Sequence, residues 1–352
     1  MRSFLLMLLL GLSARSYAQS NIAQLVDAEY DAGHFNGTLL VARGGKVVTR
    51  INKGMANLQF AVPITNDTRF PIASMTKTFT AILALQLYEK RQLKLTDKAA
   101  AYLPDLPTNC QNITIAELLT HYSGLKNETG EAYKAAYSPA EYVSRFAIRD
   151  EARKEAGFRY NNVDYVVLTR ILEVVAKKPF ARLLQDNILT PLRMKNSGLV
   201  QASRIIPQLA YGYHNYTFGA GSPKDTLQND LLVHMANYAG AGAMYSTADD
   251  LLKLVQALKA NTLLSASITA SLLLRPQQPA FLDYARGYST IGFYYNDKTF
   301  PQPILERRGS INGFNSVLLM DPEFRHVVII LTNTDTADLE VLADKVYSAP
   351  KW

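Results

Sequence analysis

Near the start of the chain, two β-rich runs, Thr38 to Ala42 and Lys46 to Ile51, stand on either side of Gly44-Gly45. A glycine pair supplies the positive φ angles of a tight turn, so the pattern predicts a hairpin. It returns near the other end, where Ser316 to Met320 and His326 to Leu331 flank the turn residues Asp321-Pro322-Glu323. The middle differs in kind. From Thr76 to about Leu274 the pattern predicts mostly helices, with capping boxes at Thr114-Ile115-Ala116-Glu117 and Ser138-Pro139-Ala140-Glu141, and Ser246 or Thr247 opening a helix over Ala248 to Lys259. A last helix after Asp335 carries Leu339, Leu342, Ala343 and Val346 at the spacing of one buried face, which needs a sheet to lie on. The economical architecture is an α/β (α+β) fold. Its terminal segments, about 19–73 and 285–352, form one antiparallel sheet flanked by terminal helices, and about 74–284 is an inserted all-helical lobe. A cleft between the lobes is the default site.

Residues 1–18 stand apart. Arg2 precedes a nine-residue apolar run, Phe4 to Leu12, and Ser16-Tyr17-Ala18 has the small-x-small form of a leader-peptidase site. This reads as a secretory signal peptide, with residues 19–352 as a single domain and a periplasmic or extracellular location. No stretch approaches the roughly 20 residues of a spanning helix, so no membrane span is expected.

The 352 residues are 48% apolar and 19% charged, which excludes a disordered chain. The formal charge of +7, two of it from Arg2 and Arg15, is spread thinly, with no run longer than Lys177-Lys178 or Arg307-Arg308. Nucleic acid is therefore not an expected partner. A mild basic surplus suits anionic envelope material or carboxylate substrates, or simply solubility. A single cysteine, Cys110, cannot form an internal disulfide.

Metal-binding, phosphate-loop and nucleophile-elbow motifs do not occur, so neither metal nor cofactor is expected. Ser-x-x-Lys occurs three times. Ser348-Lys351 contains Pro350, and Ser123-Lys126 is broken by Gly124, so neither sets its lysine over its serine. Ser74 heads Met75 to Glu89, apolar around most of its circumference and so expected to be buried. There Lys77 lies one turn from Ser74, where a desolvated amine can serve as base to a serine nucleophile. The local pattern equally allows Ser74 to be a helix cap and Lys77 a surface residue. Tyr-x-Asn also occurs three times. Tyr160-Asn161-Asn162 follows Gly157 and enters a periodic helix (Val166, Val167, Ile171, Leu172, Val175), where a phenol can be presented to a cleft. Tyr213 lies in a Tyr/Gly-rich loop and Tyr294 in a strand, both fitting packing roles better.

Four stretches resemble a known family in order and spacing. They are Phe70-Pro71-Ile72-Ala73-Ser74-Met75-Thr76-Lys77, Leu118-Leu119-Thr120-His121-Tyr122-Ser123-Gly124-Leu125, Phe158-Arg159-Tyr160-Asn161-Asn162, and Ala241-Gly242-Ala243-Met244-Tyr245-Ser246-Thr247-Ala248-Asp249-Asp250. They are similar to signatures of the class C β-lactamase and D-alanyl-D-alanine carboxypeptidase superfamily of serine hydrolases, a β-lactamase/transpeptidase-like fold. The resemblance, from about Gly37 to Asn333, implies that Ser74 is acylated, that Lys77 and Tyr160 share the proton transfers, and that Asn162 hydrogen-bonds the substrate. The family's third motif is matched by Arg307-Arg308-Gly309, kept in register by Gly313-Phe314. This implies an oxyanion hole from the N–H groups of Ser74 and Ser310.

That match is also a departure, because family members usually carry Lys or His where Arg307 stands and Ser or Thr where Arg308 stands. Arginine keeps the charge and can grip a carboxylate in two bonds, yet it does not release a proton. The expectation is an exported serine hydrolase acting on a D-Ala-D-Ala-like peptide or a small ester or amide, with Arg307 gripping a substrate carboxylate and Gly309 and Ser310 lining the site. A class C-type β-lactamase is the alternative within the enzyme class, and a penicillin-recognising binding or sensor protein the alternative outside it. His121 has no evident acidic partner in the sequence and reads as a loop-stabilising residue.

Overall fold

The computed structural model describes residues 21–151, 157–201, 203–214, 227–230, 234–336 and 338–349. The candidate signal peptide and its cleavage site lie outside the described residues. The chain opens with helix α1 (21–31) and enters an eight-stranded antiparallel sheet through β1 (Gly37–Arg43) and β2 (Lys46–Lys53). Gly44 and Gly45 have φ of 55° and 81°, the two positive values of a hairpin turn whose twist matches its strands. After the insert come β3 (Phe281–Leu282), β4 (Gly287–Ser289), β5 (Tyr294–Asn296), β6 (Ile304–Ile311), β7 (Phe314–Met320) and β8 (His326–Thr332). The strand order is β3-β4-β5-β6-β7-β8-β1-β2, so the two predicted hairpins meet where β8 pairs with β1.

Both faces of this sheet are covered, which is why β8 reads as an unbroken apolar run and is buried at every residue. Alternate side chains sort to two cores. Leu39, Val41, Val317, Leu319, Val328 and Ile330 pack with Ile22 and Val26 of α1 and with Leu339, Leu342, Ala343 and Val346. The last four lie on the C-terminal helix, Leu339–Ser348, which Asp338 caps. Leu40, Leu318, Ile329 and Leu331 face the other way, into the core of the insert.

Within the insert, α2 (Thr76–Glu89) is buried on nearly all sides. The capping boxes at Thr114 and Ser138 both form, opening α3 (Ile115–Thr120) and α4 (Pro139–Phe146). Next come α5 (Val163–Ala176) and α6 (Ala248–Lys259), and Thr247 rather than Ser246 caps α6. Short strands also occur between residues 74 and 284, including Gly198–Leu199, Gly212–His214 and Met244–Ser246. Tyr213 lies in the second of these rather than in a loop. The C-terminal helix is α7.

On the outer face of the sheet, Arg308 forms close ion pairs with Glu306 on its own strand and with Glu340 of α7. Glu306 is almost wholly buried, and burial raises its pKa while the Arg308 charge lowers it. Arg308→Met should therefore cost roughly 3 kcal/mol at neutral pH, since it strands a buried carboxylate. Without Arg308 the folded pKa of Glu306 rises further above its unfolded value, so the native state holds a proton the unfolded chain lacks. The deficit should then shrink as pH falls toward the carboxylate range. Denaturant unfolding at several pH values checks this, and a deficit that grows in acid refutes it.

Candidate functional site

The site is built where a short strand just before the insert, Phe70–Pro71, leads into α2. Phe70 and Pro71 pair with Ser246 and Tyr245, and the Ile72 N–H donates to the Met244 carbonyl at 2.9 Å. Ala73 then takes a φ of 43°, a left-handed conformation costly for a residue with a Cβ, and a 3-10 turn over Ala73–Met75 leads into the helix. Ser74 therefore lies on this turn and not in the first turn of α2, whose N-cap is Met75 without a side-chain cap bond. From Phe70 to Leu85 only Ser74 escapes full burial.

Lys77 is inaccessible to solvent at 0% exposure, so the surface-lysine reading fails. Its Nζ donates to Ala241 O at 2.8 Å, Asn162 Oδ1 at 2.7 Å and Ser74 Oγ at 3.3 Å, and lies 4.8 Å from the centre of the Tyr160 ring. The Tyr160 hydroxyl donates to Ser74 Oγ at 2.6 Å. Burial pushes the Lys77 ammonium below its usual range. Burial opposes ionisation of Tyr160 as well, but the charges of Lys77 and Arg307 outweigh it and lower that hydroxyl too. The two groups thus compete for one proton directly beside Ser74 Oγ.

Tyr160 is held by a pairing not visible in sequence. Main-chain Arg159 N–H donates to His121 O at 2.8 Å, and His121, in left-handed conformation at the end of α3, sets its ring 4.6 Å from that of Tyr160 at a tilt of 49°. The His121 Nδ1 lies 2.9 Å from Asp164 Oδ2, so an acidic partner exists after all, on α5. Asp164 also accepts from Ser123, closely, and from Asn161 at 2.9 Å. Ser123 is thereby a structural residue of this network, and Lys126 instead lies 3.8 Å from Asp150.

Asn162 is bonded at both ends within the protein. Its Oδ1 takes the Lys77 bond and its Nδ2 donates one N–H to Glu128 Oε1 at 2.9 Å. Arg307 is the residue that departs from expectation. Its guanidinium is 3% exposed and donates through Nε and Nη2 to the Ser74 carbonyl at 3.0 and 2.9 Å. A buried fork fixed on a main-chain oxygen does not match the substrate-gripping expectation. Alternation along β6 explains the split: Arg307 points inward, and Arg308 outward to α7. Gly309 passes so close to the turn that a Cβ there would sit 2.1 Å from Ile72 O and 2.9 Å from Ser74 N. Ser310, next on the strand, is exposed and pairs with Asn315. Glu128 was not singled out by any motif; Asp164 lacked a signal because the contact spans 43 residues.

A large antiparallel sheet with a buried-lysine serine site at the edge of an inserted helical lobe defines a protein of β-lactamase/transpeptidase type. The chain belongs to the Beta-lactamase family, whose model matches residues 20–349. It is 26% identical over 319 residues to penicillin-binding protein 4* of Bacillus subtilis, covering 86% of this chain and 68% of that one. To the teichoic acid D-alanine hydrolase of Staphylococcus aureus it is 26% identical over 311 residues, covering 88% and 72%. A D-amino acid amidase from Ochrobactrum anthropi, solved with D-phenylalanine, shares the fold with a TM-score of 0.82 at 23% identity, over 94% of this chain and 98% of that one. Among the described residues, no helix is long and apolar enough to cross a membrane.

Burial, ahead of the charges of Lys77 and Arg307, drives the His121 imidazole well below its ordinary range. Its ring signals should therefore stay those of the neutral form from about pH 8 to about pH 5, across which an ordinary histidine ionises. Imidazole nitrogen shifts measured by NMR check this, and a midpoint near the usual value would place His121 outside the buried network.

Proposed function

We propose that this chain is an exported serine hydrolase that forms an acyl-enzyme on Ser74 and acts on a D-alanyl-type ester, amide or D-Ala-D-Ala-like peptide. The observation that carries the reading is the convergence of Lys77 Nζ and Tyr160 Oη on Ser74 Oγ, at 3.3 and 2.6 Å, with the lysine buried and the serine partly exposed. Ser74 Oγ attacks the substrate carbonyl and gives its proton to the Lys77–Tyr160 pair. The bond to the leaving group breaks as that proton passes to its oxygen or nitrogen. Water then attacks the ester on Ser74, releasing the acid and restoring the hydroxyl. The N–H groups of Ser74 and Ser310 receive the developing oxyanion. Gly309 fits this scheme by letting β6 come up to the turn without obstruction. The relatives support the substrate class by name, since one is a D-alanine hydrolase and a structural neighbour is a D-amino acid amidase. Export rests on residues 1–18 as read from the sequence, and the domain reading of residues 19–352 goes with it.

A penicillin-binding role with little turnover is the second reading, and Arg307 favours it. A guanidinium keeps its proton, so it cannot relay one for deacylation, and an acyl-enzyme once formed would persist. Class C-type β-lactamase activity falls behind both for the same reason.

Purified protein incubated in turn with a penicillin, a D-Ala-D-Ala peptide and a short-chain ester separates these readings. Intact-mass spectrometry should show an adduct mapping to Ser74 and absent in Ser74→Ala, with turnover of at least one substrate. A stoichiometric adduct without turnover supports the binding role. An adduct on another serine overturns both.

Arg307→Lys and Arg307→Met together test the clamp on Ser74. Replacing the fork should lower kcat/KM roughly 10- to 150-fold on neutral and carboxylate-bearing substrates alike, the range for a hydrogen bond to a charged group. The positive charge of Arg307 lowers both Lys77 and Tyr160, so Arg307→Met should move the acid limb of the pH–rate profile upward, while Arg307→Lys should leave it in place. A loss confined to carboxylate-bearing substrates would return Arg307 to substrate binding.

A further inference from the structure

An α-aminoacyl ester or amide carries its positive charge on the atom attached to the carbon next to the carbonyl that Ser74 would attack. Such a substrate brings an ammonium into a site that already holds Lys77 and Arg307. Like charges at this distance repel unless an anion stands beside the new one. Two carboxylates influence Lys77 from close by. Asp164 is fully buried and already holds Ser123, Asn161 and His121. Glu128 is the other, and its charge raises the Lys77 pKa.

Glu128 lies between α3 and α4, partly exposed. Its Oε1 accepts from Asn162 Nδ2 at 2.9 Å and from the Tyr133 hydroxyl at 3.2 Å. Its Oε2 is buried and makes no well-aligned hydrogen bond among the described residues, and the nearby Tyr142 hydroxyl is buried and unpaired in the same way. Leaving a buried carboxylate oxygen without a well-placed donor is costly; the Tyr142 hydroxyl can supply a neutral one, and an incoming ammonium would supply a charged and stronger one. Three tyrosines lie within the influence of this carboxylate: Tyr133, Tyr142 and Tyr238. Burial is the main cause that keeps all three hydroxyls protonated to higher pH than usual, so they supply neutral aromatic faces and no competing charge. The Tyr133 and Tyr238 rings are 5.9 Å apart, and Tyr238 lies against the Cβ position of Gly242, which in turn is within 4 Å of Ala73. A carboxylate beside electron-rich rings is the chemistry that holds an ammonium. The path to the reacting atom is short: Glu128 bonds Asn162, Asn162 bonds Lys77, and Lys77 bonds Ser74 Oγ.

We propose that Glu128, with the rings of Tyr133 and Tyr238 beside it, binds the free α-ammonium group of an aminoacyl ester or amide substrate. This rests on Ser74 being the acylated residue. Under it the substrate's recognised charge is positive and sits on the acyl side, in place of the carboxylate expected on the leaving-group side. Glu128→Gln is the informative variant because it keeps an oxygen to accept from Asn162 and Tyr133 while removing the negative charge.

The experiment compares D-alanyl, N-acetyl-D-alanyl and propionyl esters of one phenol, with acylation of Ser74 followed by intact mass in parallel. The wild-type protein should prefer the D-alanyl ester over the other two in kcat/KM, mostly through KM. In Glu128→Gln that preference ratio should fall roughly 10- to 150-fold, the discrimination carried by one charged hydrogen bond. The wild-type preference should also decline as pH rises through the pKa of the substrate's own amine. No preference in the wild type, or a Glu128→Gln loss shared equally by all three esters, overturns the ammonium site, and the wild-type arm decides even if the variant does not fold. Absence of any Ser74 adduct with all three esters marks failure of the acyl-enzyme reading instead.

Discussion

A lysine amine shut away from water is the constraint on which the rest of this site depends. Bringing Lys77 Nζ to 0% exposure forfeits its hydration, and the protein answers with three acceptors from three distant parts of the chain: Ser74 Oγ, Asn162 Oδ1 and Ala241 O. Each acceptor fixes a piece of structure. Ala241 is held near by the pairing of Met244–Ser246 with Phe70–Pro71, Asn162 by the start of α5, and Ser74 by the left-handed turn at Ala73. A site assembled this way is over-determined, which is how a strained residue such as Ala73 persists.

The charges around that amine form a second layer of the same problem. Arg307 adds a positive charge within reach of Lys77 and Tyr160 and spends two donors on the Ser74 carbonyl. Glu128 adds a negative one across Asn162. Asp164 is buried behind Tyr160 and His121, where its contacts with Ser123 and Asn161 hold the tyrosine-bearing loop to α5. Burial therefore favours the neutral form of Lys77, and the nearby Tyr160 and Glu128 partly restore the charged one.

Much of the fold was legible in sequence because its signals are local. Gly44-Gly45 announces a turn whatever surrounds it, and a capping box such as Thr114–Glu117 is complete within four residues. The pairing of Ser74 with Lys77 and Tyr160 was legible through motif order. What remained hidden was the choice of partner among side chains that meet only in the folded chain. His121 had no acid within its own segment and finds one on α5; Asn162 faces Lys77 and Glu128; Arg307 finds a carbonyl 233 residues away. Type and spacing say that such residues are polar and near the site, and only the packed backbone says which atoms they reach.

The arginine at 307 is best understood from what its position demands. At 3% exposure a cation needs acceptors for its donors, and two of the guanidinium's N–H groups go to the Ser74 carbonyl oxygen. A lysine could bring one bond to that oxygen and would leave two ammonium protons to place in a site that already contains a buried ammonium. Guanidinium brings two bonds from one plane that converge on that oxygen, and it lies 5.6 Å from the centre of the Tyr294 ring. Its weaker hydration makes this burial less costly than that of a second amine. The same choice removes the residue from the pool of groups able to greet a substrate carboxylate, so the departure from the family pattern changes which end of a substrate this site can recognise by charge. With the cationic position turned inward and Glu128 standing at the opposite side of Asn162, selectivity shifts from the leaving group to the acyl group.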